Sequence, residues 1–405
     1  MSNDHPIVEQ ANSLLNELIK WRRTFHQHPE LSFREFGTSQ FVVETLQKME
    51  GMNIERGIGV ETSVVGTLTS GEGPTIAIRA DMDALPITEE NTASYSSKNN
   101  GVMHACGHDA HTAVLLGTAS ILANLFKKNE VKGTVKFIFQ PAEESTDQHG
   151  LSGSPYMLQA GAYDNADAAI ALHVCPWLPV GHFQMNDGYS MANVDVFEAK
   201  IFGTGGHGAY PELGTDPIWM LGPVMQALHG IIARKVSALD AGVISIGQIH
   251  AGTASNIIPT EVSLQGTIRS YTSETRDLLA LELMKAFSIA ENLGGNFSLN
   301  VQKGEPALNN SAIINDLITG AISDTYPELQ IINRPFGLGG EDFGYVTQKL
   351  PGSMFFLGCA QIDGVQRDLH TPNFDMDESS LPIGTAILVQ TAIKFLNGEV
   401  ILPHN

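Results

Sequence analysis

Residues His104–Thr112 read His-Ala-Cys-Gly-His-Asp-Ala-His-Thr. Four metal-capable side chains, His104, Cys106, His108 and His111, stand with Asp109 around a glycine that lets the backbone bend. Cys106 and His108 are two residues apart, so in an extended segment both point to the same side. That spacing offers a thiolate sulfur and an imidazole nitrogen to one cation. Short tracts rich in histidine and cysteine are a mark of metal binding. Histidines packed at a helix start are the alternative reading, and partners elsewhere in the chain decide between the two.

Further segments carry suitable groups. The apolar run Thr134–Phe139 leads into Gln140-Pro141-Ala142-Glu143-Glu144, and active groups of an α/β sheet collect beyond the carboxyl ends of its strands. Adjacent residues leave the backbone in different directions, so one glutamate can ligate a cation while the other acts as general base toward water. A solvated acidic turn is the plainer reading of the pair. The run Asp167–Val174 brings His173 to an expected strand end before Pro176, and His370 lies in a loop ahead of the last helix. Asp81 and Asp83 follow the strand Thr75–Arg79 and can hydrogen-bond to ligand histidines, fixing ring orientation. The glycine-rich loop Gly337–Gly344 carries Glu341 and Asp342 and can cradle a substrate or cap a helix.

Gly203–Pro211 holds His207 among glycines but lacks the Lys-Ser/Thr ending that a phosphate-binding loop requires. A histidine so placed suits reach across a cleft toward a developing oxyanion. Asn256 and Arg269 are polar groups suited to a substrate carboxylate, since arginine grips a carboxylate through two parallel hydrogen bonds.

These groups need a scaffold. A chain of 405 residues exceeds what one core usually supports, so two domains are expected. Apolar spacing predicts a helix over Val8–Phe25 and a largely buried one over Ala110–Phe126. Strands alternate with helices up to about residue 190, which predicts an α/β layer structure with helices on both faces of the sheet. From there the texture changes. Strands Asp195–Phe202, Val243–His250, Glu261–Arg269 and Asn296–Gln302 interleave with helices near 216–239 and 273–293, the order of a split βαβ unit. From about Glu305 the α/β texture resumes, with a helix from Ser311, a strand Ser353–Gly358 and a helix Leu381–Leu396. The expected organisation is a catalytic domain in two segments, 1–190 and 306–405, with 191–305 inserted.

Lys and Arg number 23 against 44 Asp and Glu, a net charge of −21. Such a surface repels nucleic acid and anionic membranes. The polar start, Met1 to Glu9, has no apolar signal region, and no apolar run reaches membrane-spanning length. Three widely spaced cysteines make no disulfide framework, so a cytoplasmic location is expected, with Cys106 reduced and Cys175 and Cys359 inert in apolar surroundings.

Taken in order, seven motifs resemble those of the dimetal amidohydrolases that include hippurate hydrolase, N-acyl-amino-acid deacylases and plant auxin-conjugate hydrolases, a branch of the aminoacylase/carboxypeptidase metallopeptidases. They are Phe25–Leu31, Arg79–Pro86, His104–Thr112, Gln140–Glu144, Gly203–Pro211, Gly339–Tyr345 and Leu369–Glu378. The resemblance implies an α/β, mixed-sheet zinc-peptidase-like catalytic domain with an inserted α+β ferredoxin-like lid. It implies two divalent metal ions (Zn, Mn, Co or Ni) held by Cys106, His108, Glu144, His173 and His370, with Glu143 as general base. His207, Asn256 and Arg269 would bind substrate. Where the wider family has a His-x-Asp ligand motif this chain has Asp81-Met82-Asp83, which makes Asp83 at most an orienting residue.

The expected reaction is hydrolysis of the amide of a small N-acyl amino acid. Cys106 would act as thiolate, its pKa lowered by metal and by the following helix start. A dipeptidase or aminopeptidase is the alternative within the class, and a catalytically silent metal-binding dimer scaffold the alternative outside it. The exposed edge strands of the lid suit pairing with a second copy.

Overall fold

The computed structural model describes residues 5–400 and residue 402. Two compact units emerge. One holds the described residues of Met1–Gly188, Asn309–Phe336 and Asp342–Asn405, and the other holds Tyr189–Leu308 and Gly337–Glu341. Each is taken by itself.

In the first unit, strand Thr75–Asp81 turns Ile76, Ile78 and Ala80 to one side and Ala77, Arg79 and Asp81 to the other, as a period of two requires. Nearly all of it is buried, the signature of a strand covered on both faces. Gly133–Gln140, Ala168–Pro179 and Gly352–Ala360 run parallel with it, and together they form the centre of an eight-stranded mixed sheet. Antiparallel Val64–Ser70 and Asn53–Arg56 extend one edge. His182–Met185 and Gln330–Asn333 extend the other. The outer strands Asn53–Arg56, His182–Met185 and Gln330–Asn333 are four residues each, too short for a period to be read from sequence.

Helix His108–Lys127 is apolar on most sides and buried almost throughout. It packs on the sheet with Leu15–Gln27 and Ser380–Leu396 against it. The opposite face carries Arg79, Asp81, Gln140 and His173, and there the short helix Gly153–Gln159 lies against strand Gly133–Gln140. The single helix expected over Val8–Phe25 is two, Pro6–Ser13 and Leu15–Gln27, because the Leu14 N–H tightens back onto the Ala11 carbonyl and ends the first. Among the described residues no helix is long and apolar enough to cross a membrane.

In the second unit the elements run strand, helix, strand, strand, helix, strand. The antiparallel sheet has the order Gly242–Ala251, Glu261–Ser270, Asn193–Phe202, Asn296–Lys303. Phe197, Ala199 and Ile201 point into a core shared with Val262, Leu264 and Ile268 and with helices Pro217–Lys235 and Ser273–Phe287. The Asp216 side chain caps the first of these helices, accepting from the Ile218 N–H. Arg276, on the second, grips buried Asp195 through Nε at 3.0 and 2.9 Å. Helix Pro217–Lys235 stops short of the expected Leu239 because Val236 turns extended.

A buried ionic cluster ties the N-terminal helices of the first unit to the start of helix His108–Lys127. Arg22 Nε donates to Asp109 at 2.8 Å, and its terminal nitrogens reach Asp375 and Glu378, each at 3.2 Å. His26 reaches Asp109 and Glu89. Burial and Arg22 act to lower the His26 pKa, but Asp109 and Glu89 outweigh them and raise it. Burial would raise the Asp109 pKa, yet Arg22 and His26 hold it far below the usual carboxylate range. Asp109 therefore anchors this cluster as well as opening the helix. Removing one partner of a buried ion pair strands the other charge, so Asp109→Ala should cost about 3 kcal/mol of stability in denaturant unfolding. Because the folded-state pKa of Asp109 lies below the unfolded value of about 3.9, its contribution is present above that pH and lost below it. The variant should lose stability less steeply on acidification than the wild type does.

Candidate metal centre

Gly107 adopts φ +89°, and a Cβ there would meet Val174 Cγ2 at 2.3 Å. This left-handed residue ends the incoming segment and starts helix His108–Lys127 in one step. Cys106 and His108 meet across that turn, not along an extended segment as their spacing suggested. Cys106, His108 and His173 each bring one ligand atom within 4.8 Å of the others. Cys106 Sγ lies 3.4 Å from His173 Nε2.

His173 sits inside strand Ala168–Pro179, which runs six residues past it. It still lies level with the carboxyl ends of its neighbours, since Arg79 pairs with Ala171 and Asp81 with Gln140. Its Nδ1 donates to the Val174 carbonyl at 2.7 Å, so the neutral ring turns an Nε2 lone pair toward Cys106. His111 is committed elsewhere. Its Nδ1 lies 2.6 Å from Asp81 Oδ1, and its Nε2 accepts from the Val174 N–H at 2.9 Å. His104 is buried beside His26 and joins none of the donor groups.

Glu143 and Glu144 follow strand Gly133–Gln140. Both N–H groups donate to the Asp83 carboxylate at 3.0 Å, and Ser32 Oγ donates to it at 2.6 Å. Glu144 Oε1 lies 3.3 Å from His370 Nε2, an ion pair that raises the His370 pKa. His370 adopts φ +61° and is anchored through its N–H to the Ala105 carbonyl at 2.8 Å. Cys106, Glu144 and His370 form a second group with ligand atoms within 4.8 Å of one another. The two groups share the Cys106 sulfur.

The charge balance is unusual. Burial would neutralise His108, but Asp81, Asp83 and Glu144 hold its pKa up to about 10. Neither of its nitrogens has a hydrogen-bond partner although both are buried. Burial, with Glu144, Glu143 and Asp81 next, pushes the Cys106 thiol well above its ordinary value. A bound cation would act in the opposite direction and lower it. Burial keeps His173 neutral, its pKa well below the usual range. A thiol, imidazoles and carboxylates facing one another, with an orphaned imidazole between them, is a donor set that fits divalent cations.

The model of peptidase family M20/M25/M40 matches residues 77–394. The chain belongs to that family. It is 38% identical to the N-acetyl-L-cysteine deacetylase of Bacillus subtilis, over 96% of this chain and 90% of that one. It is also 38% identical to thermostable carboxypeptidase 2 of Saccharolobus solfataricus, over 96% and 99%. The crystal structure of a dinuclear metal binding peptidase of the M20 family from Bacillus subtilis superposes with a TM-score of 0.82 at 32% identity, covering 95% of this chain and 99% of that one.

Within this M20 chain the second unit carries the remaining candidate residues. His207 pairs with Ile257 in a two-stranded ribbon, which sets it beside Asn256. Its Nδ1 accepts from the Ala209 N–H at 3.0 Å, so the neutral ring bears its proton on Nε2. Both residues are exposed, and Arg269 lies half-buried on strand Glu261–Ser270. Asp342 does not cradle a substrate. Its oxygens are taken by Arg79, Gln140, Ser152 and the Ser154 N–H. Two residues went unweighted in the sequence, Glu35 and Ser32, both in the stretch after His26-Gln27-His28-Pro29. Glu35 is buried, accepts from the Ala142 N–H at 2.9 Å, and is pushed up to about 7 by burial, with Asp83 next. Its neighbours Ser32, Arg34, Thr38 and Ser39 are polar as well, so nothing in the sequence set Glu35 apart.

Gly107→Ala tests the turn. A left-handed alanine costs about 1–2 kcal/mol, and forcing a methyl into a packed site costs about 1–3 kcal/mol more. The expected loss is about 2–5 kcal/mol in denaturant unfolding, together with a reduced metal content in the folded fraction.

Proposed function

We propose that the chain hydrolyses the amide bond of N-acyl amino acids in a metal-dependent reaction. The observation that carries this reading is the position of Glu143. It is a partly accessible carboxylate, 3.9 Å from His108, that belongs to neither donor group containing Cys106 and stands with His108 and Glu144 at the edge of the centre. Cys106, His108, Glu144, His173 and His370 would hold two divalent cations, and soft sulfur beside imidazole suits Zn, Co or Ni, with Mn also compatible. When bound, such cations lower the pKa of a water and polarise the substrate carbonyl. Glu143 takes a proton from the water as its oxygen bonds the acyl carbon. It returns that proton to the amide nitrogen as the carbon–nitrogen bond breaks, and the new acid gives its remaining proton to the released amine or to solvent, leaving a carboxylate and a free amino acid.

Beside His173 lies an aromatic cluster in which Phe336 and Trp177 are accessible and Phe356 is fully buried behind them. Phe336 and Phe356 have ring centroids 6.2 and 6.0 Å from the imidazole, and half-exposed Trp177 packs on Phe336 at 5.2 Å. An apolar wall suits a blocked acyl group better than a free ammonium. The relative named a carboxypeptidase supports a second reading, cleavage of a peptide's C-terminal residue. The bond is the same, since that residue is itself an acylated amino acid.

The same reading assigns substrate recognition to His207, Asn256 and Arg269. An exposed imidazole with its proton on Nε2 suits an oxyanion, and Arg269 suits a carboxylate. The second unit is read as a ferredoxin-like lid over 191–305, inserted between catalytic segments 1–190 and 306–405. Its strand order and two helices on one face support this. Edge strand Gly242–Ala251 is largely exposed and supports pairing with a second copy. Three free cysteines support residence in a reducing compartment, the cytoplasm.

Glu143→Gln should leave bound metal unchanged and lower kcat on N-acetyl amino acids by about 10²–10⁴-fold, measured by amine release alongside metal analysis. Retained turnover would remove Glu143 from the reaction. Cys106→Ser should reduce bound metal, and an unchanged metal count would exclude it as a ligand. Assaying N-acetyl amino acids beside free dipeptides and acylated dipeptides separates the two readings of substrate.

A further inference from the structure

Three consecutive backbone N–H groups, those of Ala142, Glu143 and Glu144, end on two buried carboxylates. Asp83 accepts from Glu143 and Glu144, and Glu35 accepts from Ala142 at 2.9 Å. Successive N–H groups turned into one concavity form an anion-binding nest. The residue that opens the nest is strained, for Ala142 adopts φ +53°, a region that side chains other than glycine rarely enter.

Glu35 is built to hold that strain. Its side chain is fully buried, and Oε1 also accepts from the N–H of Phe33 at 2.9 Å. Phe33 is a second left-handed residue, with φ +63°. Oε2 accepts from Thr62 Oγ1 at 2.7 Å. Ala142 is gripped on its other side by the Gly153 N–H, which donates to its carbonyl at 2.7 Å. A Cβ at Gly153 would fall 1.8 Å from the Pro141 carbonyl oxygen, so the helix starting there closes on the turn as tightly as backbone allows. Without Glu35 the Ala142 N–H would be buried and unpaired, and the backbone would escape by leaving the left-handed region. Glu143 and Glu144 would turn with it.

We propose that Glu35 is a positioning residue whose carboxylate locks the Ala142 turn and thereby aims Glu143 and Glu144 at the metal centre. This rests on the roles given to those two glutamates above. Reach, not charge, is what the clamp requires. Glu35→Gln keeps the length: its carbonyl oxygen can accept from Phe33 and Ala142, and its amide can donate to Thr62 Oγ1. Glu35→Asp keeps the charge but withdraws the carboxylate by about 1.5 Å, one carbon–carbon bond.

The test is a Co²⁺ titration of the metal-stripped wild type, Glu35→Gln and Glu35→Asp proteins, followed by visible absorption. Thermal unfolding would confirm that each is folded, and kcat and KM would be measured on an N-acetyl amino acid at saturating Co²⁺. Glu35→Gln should stay within about twofold of wild type. Glu35→Asp should bind Co²⁺ about 10-fold more weakly, as loss of an outer-shell partner does. Its kcat should fall about 10- to 100-fold with little change in KM, the cost of misplacing a reacting group by about an ångström. Wild-type behaviour of folded Glu35→Asp would overturn the proposal. So would a Glu35→Gln protein as impaired as Glu35→Asp, which would make charge the requirement. If the wild type cleaves no acylated amino acid, the substrate reading fails while the cobalt titration still tests the clamp.

Discussion

Mutual repulsion among acids, two of them buried and two partly so, is the constraint on which the first unit depends. Asp81, Asp83, Glu143 and Glu144 surround the imidazole of His108, with the Cys106 thiol beside them. In a low-dielectric interior such a gathering is unfavourable unless positive charge is brought in. Arg79 brings some of it, 2.7 Å from Asp81. A protonated His108 brings more, but that proton occupies the nitrogens a cation would use. Divalent cations bound there would relieve the repulsion, take the place of the proton on His108 and lower the thiol pKa.

Holding the groups together falls to the scaffold. Parallel strands bring Asp81, Gln140 and His173 to one level, and the loops beyond them carry the chemistry. Below, Arg79, Gln140, Asp342 and Ser152 form a closed network with no donor left to solvent, so Asp81 is fixed from behind. The Arg22–Asp109–His26 cluster fixes the start of helix His108–Lys127 from the other side. His111, one turn into that helix, ties it to Asp81 and to the Val174 N–H of strand Ala168–Pro179. The second cluster is not fully satisfied, since Asp109 Oδ1 is buried without a hydrogen-bond partner.

What could be read from the sequence follows the same division. Long periodic elements were legible because their burial is: helix His108–Lys127 and strands Thr75–Asp81 and Gly133–Gln140 carry near-continuous apolar runs. Edge strands such as Gln330–Asn333 were not, because exposed residues bear no period. Residue types marked the candidate donors, yet the path that joins them was misread. Cys106 and His108 depend on a left-handed glycine, and His173 on a strand that continues past it. Asp83 and Glu35 act on backbone N–H groups through side chains that are ordinary acids in the sequence. Only the fold shows which of the many carboxylates in an acidic chain are buried against a strained turn.

The central claim is that Cys106 joins two groups of donors into one dinuclear centre. The most direct measurement is an anomalous difference map from crystals of the metal-loaded protein, collected at the absorption edge of the bound metal. The account requires two peaks, one among Cys106, His108 and His173 and one among Cys106, Glu144 and His370. A single peak held by Asp81 and His111, with the Cys106 sulfur bonded to no metal, would contradict it.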